Sequence, residues 1–231
     1  MSDFIGINSC TIGRDHVCCF DDLTEDEIEF INSNIVEVKY SKGETICKQG
    51  SFASHLMMIT EGLAKIYIEE GNEILILKIL PAVNLIGLTS LYEGNNVFPY
   101  SAQAYVETTV KLIEINAFKD LLNKNGKFAT TVLGLLAENT LITYGRFFCM
   151  TKKQTYGRLA DVLLCLAQRV YKKDQFPLQL ARKELAELSS MSLESITRIL
   201  TKFREDKIIR FESDHIEILD VERLTRISQS G

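Results

Sequence analysis

The chain has 231 residues, of which 46% are hydrophobic and 25% are charged, and its formal net charge is −5. This length exceeds that of a usual single domain, so we expect two domains with real cores. No stretch is apolar for about 18 residues and the N-terminus lacks a secretory signal pattern, which excludes the membrane-spanning and secreted classes and predicts a cytoplasmic protein.

The N-terminal half predicts one short helix followed by many strands. Residues Asp22 to Ser33 open with Thr24 as N-cap and Glu27 three residues later, the signature of a capping box. Between Ile35 and Ile115 the chain changes to short runs of β character, punctuated by glycines where turns need a positive φ. The runs are IVEVKY, ETICKQ, HLMMIT, LAKIYIE, ILILKIL, SAQAYVE and TTVKLIEI, and the glycines are Gly43, Gly50, Gly62, Gly71 and Gly87. This pattern indicates an antiparallel barrel or jelly roll.

The central region predicts helices. Residues Ala117 to Leu122 indicate a helical turn, and Phe128 to Met150 indicate a long helix with more apolar surface than a lone helix could leave in water. Its apolar residues are Val132, Leu135, Leu136, Ile142, Phe147 and Phe148. We therefore expect this helix to pack against its twin in a homodimer. A further helix is predicted from Tyr156 to Tyr171, and Cys149 and Cys165 lie on apolar helix faces as expected core residues.

Residues Ala181 to Asp206 predict two short helices joined by a tight turn, a pattern typical of a helix-turn-helix. Leu185 and Leu188 give the first helix an apolar face, and Ser192 can cap the second. The second helix repeats apolar residues at a helical period, namely Ile196, Ile199, Leu200 and Phe203. Residues Lys207 to Leu219 then alternate around a polar turn and predict a small β-hairpin wing.

The second of these helices presents Glu194, Thr197 and Arg198 on its other side. A recognition helix places its first residues against base edges in the major groove. Arg198 can donate two bonds to guanine, Glu194 can accept from cytosine N4, and Thr197 can touch a thymine methyl group. The alternative is that Glu194 and Arg198 form an ordinary ion pair on a solvated helix.

The charge distribution supports DNA as a partner despite the acidic total. Residues 1–151 hold 11 basic and 19 acidic side chains, whereas residues 152–231 hold 15 and 12, a net charge of +3. Contacts to DNA phosphates need this local excess rather than a basic average. The candidate phosphate contacts are Lys152, Lys153, Arg182, Lys183, Lys202 and Arg204.

Five segments carry a likeness to a known family: KGETICKQG, EGLAKIYIEEGNE, NLIGLTSLY, YGRLADVLLCLAQ and MSLESITRIL. In this order they resemble the CRP/FNR superfamily of bacterial transcription regulators, over about Asp22 to Leu219. The resemblance implies an α+β fold with a cyclic-nucleotide-binding-like β-roll (1–125), a dimerisation helix (126–151) and a winged helix-turn-helix domain (152–231). It also implies a homodimer on palindromic double-stranded DNA, with RNA polymerase as a further partner and no membrane.

Within the DNA reader, LESITR resembles the FNR branch more than the cyclic-AMP branch, which has Arg where Leu193 stands. By that likeness Glu194, Thr197 and Arg198 are the base readers. The wider predicted set of DNA contacts is Arg182, Lys183, Ser192, Leu193, Ser195 and Lys202. The resemblance further implies that a signal in the roll shifts the long helix and thereby the spacing of the two readers.

The resemblance leaves the effector open. Cyclic-AMP receptors use a Gly-Glu pair and an Arg-Ser pair, and the matching positions here read Gly87-Leu88 and Tyr100-Ser101. A buried phosphate without a cationic partner is strongly unfavourable, which argues against cyclic-nucleotide sensing. The residues expected to line the pocket are Leu85, Ile86, Gly87, Leu88, Leu91, Tyr92, Tyr100 and Ser101. A small apolar ligand and a roll that is packed shut both stay open.

The cysteines leave the cofactor unknown. The FNR branch senses oxygen through a cluster on N-terminal cysteines plus one cysteine in the roll, and here Cys10, Cys18 and Cys19 are the candidate ligands, with His16 near them. Their spacing differs from the family pattern, and Ile113 stands at the roll position. An iron-sulfur cluster, another metal, a thiol switch and no function all stay open for these residues.

Two other functional classes are compatible with parts of the sequence. A cyclic-nucleotide-like regulatory module, or a thiol or metal redox sensor whose main output is not DNA binding, is the alternative to a DNA-binding regulator. An enzyme is not expected, because the sequence has no nucleophile and base pair, no HExxH motif and no phosphate loop.

Overall fold

The computed structural model describes residues 19–71, 73–177, 182–212 and 215–230. They form two compact units. The first unit contains the described residues up to Thr140 except Leu75–Lys78, and the second contains Leu75–Lys78 and the described residues from Leu141 onward. The boundary between Thr140 and Leu141 falls within the long central helix. The domain boundaries that the sequence predicts, at both ends of this helix, stay a prediction. Within the described ranges, no helix is both long and apolar enough to cross a lipid bilayer.

The first unit begins with a 3-10 turn, Cys19–Asp22, and helix α1, Glu25–Asn32. The predicted capping box is confirmed: the Glu27 N–H donates to Thr24 Oγ1 at 3.4 Å, and the Thr24 N–H donates to the Glu27 carboxylate at 2.9 Å. These two bonds satisfy donors that the first turn of a helix otherwise leaves without partners.

Eight strands follow α1 and form two four-stranded sheets. They are β1 Ile35–Tyr40, β2 Thr45–Cys47, β3 His55–Glu61, β4 Leu63–Glu70, β5 Glu73–Pro81, β6 Asn84–Ile86, β7 Ser101–Ala104 and β8 Thr108–Glu114. The sheet orders are β1-β8-β3-β6 and β2-β7-β4-β5, and β8 pairs antiparallel with both β1 and β3. The predicted β-roll is confirmed. Strand β6 was not predicted, because three residues are too few to show alternation.

Helix α2, Ile115–Lys124, and the first half of α3, Gly126–Lys152, close the core of this unit. Phe118 and Phe128 meet edge to face with ring centroids 5.1 Å apart. Besides Phe128, three apolar residues of α3 contact this core, namely Val132, Leu135 and Leu136. Part of the apolar surface of this helix is therefore covered within the first unit, and its predicted pairing with a twin helix stays a prediction.

The second unit continues with further helices and a three-stranded sheet. They are α4 Thr155–Cys165, a π-helical turn Leu166–Tyr171, β9 Gln175–Pro177, α5 Arg182–Ser189, α6 Leu193–Glu205, β10 Ile209–Glu212, β11 His215–Ile218 and α7 Val221–Ser230. The sheet order is β10-β11-β9. The predicted wing is confirmed as the β10–β11 pair, whose turn residues 213–214 lie outside the described residues.

A buried polar cluster joins the end of α3 to α4 and α7. Lys153 Nζ lies 2.6 Å from Asp161 Oδ2, the Cys149 thiol donates to the same oxygen at 3.3 Å, and the Ser228 hydroxyl donates to Oδ1. The Lys153 and Asp161 side chains are almost fully buried. Lys153 therefore holds the unit together, which argues against its predicted role as a phosphate contact.

Each unit contains a buried cysteine with a suppressed thiolate. Burial raises the pKa of Cys47 to about 12. Burial, with the negative charge of Asp161 beside it, raises the pKa of Cys149 to about 11. Cys149 and Cys165 are both buried, as expected for small core residues.

We expect Cys47 and Cys149 to resist alkylation in the native protein. At about pH 8 a thiol whose pKa lies well above that value carries almost no thiolate, which is the reactive form. Iodoacetamide followed by peptide mass spectrometry should label both residues at least about tenfold more slowly in the native protein than in urea. Fast labelling of either residue without urea would make it a candidate thiol switch.

Gly62 joins β3 to β4 at a point where no side chain fits. Its φ is +93°, and a Cβ there would approach Glu107 O to 2.4 Å and Thr108 Oγ1 to 2.6 Å. We expect Gly62→Ala to lower the free energy of unfolding by at least about 3 kcal/mol, as strain and overlap combine.

The matched control for this substitution is Gly71→Ala. Gly71 has φ +60° with nothing within 4 Å of a Cβ, so only the cost of a left-handed backbone, about 1 kcal/mol, applies. Urea denaturation followed by circular dichroism measures both losses. Equal losses would show that the contact with Glu107 is not rigid.

Candidate nucleic-acid interface

Helices α5 and α6 pack their apolar faces together. Leu185 and Leu188 of α5 are fully buried, and so is one side of α6, which consists of Ile196, Ile199, Leu200 and Phe203. The Ser192 hydroxyl caps α6 by accepting the Ser195 N–H at 3.2 Å, and the two serine hydroxyls bond to each other at 3.0 Å. Both serines were predicted as DNA contacts, and in the structure they stabilise the start of α6.

The opposite side of α6 borders an open groove of about 790 Å³. Its lining residues are Tyr156, Leu193, Glu194, Thr197, Arg198, Thr201, Lys202 and Glu205. The structure thus brings the three predicted base readers to one surface. Their positions follow from the helical period, since residues three and four apart share a face.

The side chains of Glu194 and Arg198 are not tied to each other. Among the described residues, no ion pair or hydrogen bond joins these two side chains. The Thr197 hydroxyl donates to the Leu193 carbonyl at 2.9 Å, so its methyl group and an oxygen lone pair face outward. A carboxylate and a guanidinium that are unpaired at the start of an exposed helix can accept from and donate to base edges.

The other predicted contacts differ in availability. Leu193 is 51% exposed at the first position of α6. Arg182 and Lys183 are exposed in the first turn of α5. Lys202 Nζ lies 3.0 Å from Asp206 Oδ1, and this bond raises the pKa of Lys202. Lys202 is therefore already paired with the carboxylate of Asp206, which makes it less available to DNA than an unpaired lysine.

Three lining residues of the groove were not predicted. Thr201 and Glu205 continue the face of Thr197 and Arg198 toward the C-terminus, so the helical period alone could have found them. Tyr156 belongs to α4 and packs edge to face on Phe203, with ring centroids 5.8 Å apart. No local pattern signals a contact between residues so distant in sequence.

The wing contributes little free positive charge. Arg210 Nε lies 3.1 Å from Glu212 Oε1 and 3.0 Å from Glu217 Oε2. The bond to Glu217 is the main cause that raises the pKa of Arg210. With two carboxylates beside it, Arg210 adds no net positive charge for a phosphate.

In the roll, the residues at the positions expected to bind a cyclic nucleotide do not fit one. The Gly87 N–H donates to the Tyr100 hydroxyl at 2.9 Å, so this amide is satisfied from within the chain. Ser101 Oγ accepts the Gln49 N–H at 3.0 Å and donates to the Glu69 carboxylate at 3.2 Å. A tyrosine hydroxyl and a nearby carboxylate cannot neutralise a phosphate.

The predicted effector pocket lies largely within packed structure. Ile86 and Ser101 are fully buried, and Leu88 belongs to the same core as Phe118, with Leu85 and Leu91 packed against that core. Tyr92, in contrast, is one of the most exposed aromatic side chains described. Ile86, Leu88 and Ser101 are therefore packed within the chain, whereas Tyr92 faces solvent.

The candidate metal ligands are placed only in part. Cys19 is buried in the apolar core of the first unit, whereas Cys10, His16 and Cys18 lie outside the described residues. Among the residues that the structure describes, no three His, Cys, Asp or Glu side chains come together as a metal site.

Comparison with known proteins agrees with this architecture. A family model for the Crp-like helix-turn-helix domain matches residues 157–227, and a model for the cyclic nucleotide-binding domain matches residues 37–125. Together the two models cover more than two thirds of the chain, in the order of the two units.

Relatives and solved structures match along most of the chain. The fumarate and nitrate reduction regulatory protein of Yersinia pestis is 26% identical over 97% of this chain and 90% of its own. The transcriptional activator protein FnrA of Stutzerimonas stutzeri is 23% identical over 78% of this chain and 75% of its own. FixK2 from Bradyrhizobium japonicum shares the fold, with a TM-score of 0.77 at 18% identity over 85% of this chain and 98% of its own. With its sensor roll and DNA-reading helix-turn-helix, this chain belongs to the CRP/FNR family of transcription regulators and not to a family of enzymes.

Proposed function

We propose that the protein acts as a homodimer that reads a palindromic DNA site through the exposed face of α6. The observation that carries this proposal is the unpaired Glu194 and Arg198 in the groove at the start of α6. A guanidinium can read guanine in the major groove, and a carboxylate can read cytosine. Two copies related by a two-fold axis then read two symmetric half-sites.

The dimer proposal rests on the second half of α3. Leu141, Tyr144 and Phe148 are 51%, 62% and 43% exposed, and Phe147 beside them is also exposed. The first three are spaced i, i+3 and i+7, so they form one stripe with the spacing of a coiled-coil seam. An identical stripe on a second copy is the natural cover, because a coiled coil needs a matching a/d seam.

Two further parts of the proposal concern the setting of the regulator. We propose a cytoplasmic location, because the DNA partner must be reachable.

Contact with RNA polymerase is supported by relatives whose names describe transcriptional activators. In vitro transcription with purified polymerase and a selected promoter site would test it, and unchanged transcript levels with bound regulator would argue against it.

We expect Arg198→Ala to weaken specific DNA binding without affecting dimerisation. Loss of a two-bond contact to guanine should cost about 1–3 kcal/mol per half-site, or roughly fivefold to 150-fold in affinity for each half-site. The site is first selected by the wild-type protein from random duplexes, and fluorescence anisotropy then measures affinity for it and for random DNA.

The control for Arg198→Ala is Arg204→Ala on the same helix. Arg204 is exposed but does not line the groove, so its loss should weaken specific and random binding alike. If Arg198→Ala also weakens both kinds of DNA equally, Arg198 contacts the backbone and the proposed base readout is wrong.

We expect Tyr144→Glu to convert the dimer into a monomer. A charge in the centre of an apolar helix seam loses hydration on pairing and faces its own copy across the two-fold axis. Sedimentation equilibrium at micromolar concentration should show the change, and affinity for the palindrome should fall at least about tenfold.

Tyr92→Glu is the matched control for Tyr144→Glu. Tyr92 is 72% exposed on the roll, so the same charge there should leave the dimer intact. A Tyr144→Glu protein that stays dimeric would move the dimer interface away from α3.

A further inference from the structure

The turn between α5 and α6 contains a residue in a strained backbone conformation. Ser190 has a φ of +50°, in the left-handed region, where helix-turn-helix turns often place glycine. Its N–H donates to Glu187 O at 3.1 Å, and the Met191 N–H donates to Ala186 O at 2.9 Å. Ser190 is thus the point at which the chain changes direction toward α6.

Two arginines from other helices hold Ser190. Arg158 of α4 donates from Nη1 to the Ser190 carbonyl at 3.2 Å, and Arg146 of α3 donates from Nη2 to the Ser190 hydroxyl at 3.4 Å. The same Nη2 donates to Ile76 O at 3.3 Å, in the segment Leu75–Lys78 of the same unit. Strained residues persist where surrounding contacts overdetermine them, and these bonds do so here.

Arg146 is only 4% exposed, which is rare for a charged side chain. A buried guanidinium is tolerated where hydrogen bonds hold it, and here Nη2 bonds to both Ile76 O and the Ser190 hydroxyl. Arg146 follows Tyr144 by two residues, or about 200° around the helix axis, and therefore lies on the face of α3 opposite to the exposed stripe.

We propose that Arg146 is a positioning residue for DNA binding. One face of α3 joins two copies, and the opposite face, through Arg146, fixes Ser190 and with it the direction of α6 relative to the dimer axis. This inference rests on the proposed homodimer on palindromic DNA. Two recognition helices held rigidly match one separation along the duplex, so the dimer should accept one spacing between half-sites.

The test measures spacing preference rather than affinity alone. A palindrome is selected by the wild-type protein from random duplexes, and versions with the spacer changed by about one or two base pairs are compared by anisotropy. Wild-type affinity should fall at least about tenfold on a changed spacer, since one base pair rotates a half-site around the duplex axis. The spacing preference is the ratio of the affinity for the selected spacer to the affinity for a changed spacer. In Arg146→Met and in Ser190→Ala this ratio should be at least about fivefold smaller than in the wild type, because α6 is no longer held.

Two further variants separate positioning from folding. Ser189→Ala removes the neighbouring buried hydroxyl, which makes no hydrogen bond within the described part of the chain, and should leave the spacing preference intact. Arg146→Lys keeps a donor and should restore part of the preference. If Arg146→Met does not fold, Ser190→Ala alone decides, because it removes one hydroxyl from the turn.

The outcomes are distinct for this inference and for the proposed function. Variants that lose affinity equally at every spacing, with the wild-type preference kept, would overturn the role of Arg146 and leave the DNA reader in place. A wild-type protein that enriches no palindrome would overturn both, and that result appears before any variant is compared.

Discussion

The DNA-reading surface depends on the burial of one side of α6. Four apolar residues of this helix are removed from water against α5 and its neighbours, which contributes on the order of 1.5–3 kcal/mol for each side chain. Because a helix has fixed angular spacing, burial of that side leaves Glu194, Thr197 and Arg198 no direction except outward. The set of side chains that α6 exposes is thus determined by which of its residues are buried.

The two faces of helix α3 differ in burial. Its first half packs into the core of the roll, and its second half exposes Leu141, Tyr144 and Phe148 on one side while Arg146 is buried on the other. In the proposed dimer, the second half of α3 therefore serves both the contact between two copies and the turn that precedes α6. The buried Lys153–Asp161 pair adds a second attachment, between the end of α3 and α4. Removing one partner of such a pair leaves a buried charge, which is strongly unfavourable.

The roll matches a cyclic nucleotide-binding domain, while the residues at the positions expected to bind a cyclic phosphate form hydrogen bonds within the chain. The Tyr100 hydroxyl accepts the Gly87 amide, and Glu69 and Gln49 engage Ser101. A match to the family model therefore does not establish the ligand, because affinity for an anion depends on a few charged and donor groups rather than on the sheet.

Local patterns in the sequence determined most of the fold and part of the site. The capping box of α1, the strand runs between glycines, the wing and the exposed face of α6 follow from periods of 2 and 3.6 and from turn chemistry within a few residues. Contacts between distant residues were decided only by the tertiary structure. These contacts bury Lys153, turn Val132 into the roll core, bring Tyr156 to the groove and place Arg146 on Ser190. The physical reason is that a side chain's partner is chosen by packing and desolvation in three dimensions, which periodicity along the chain does not encode.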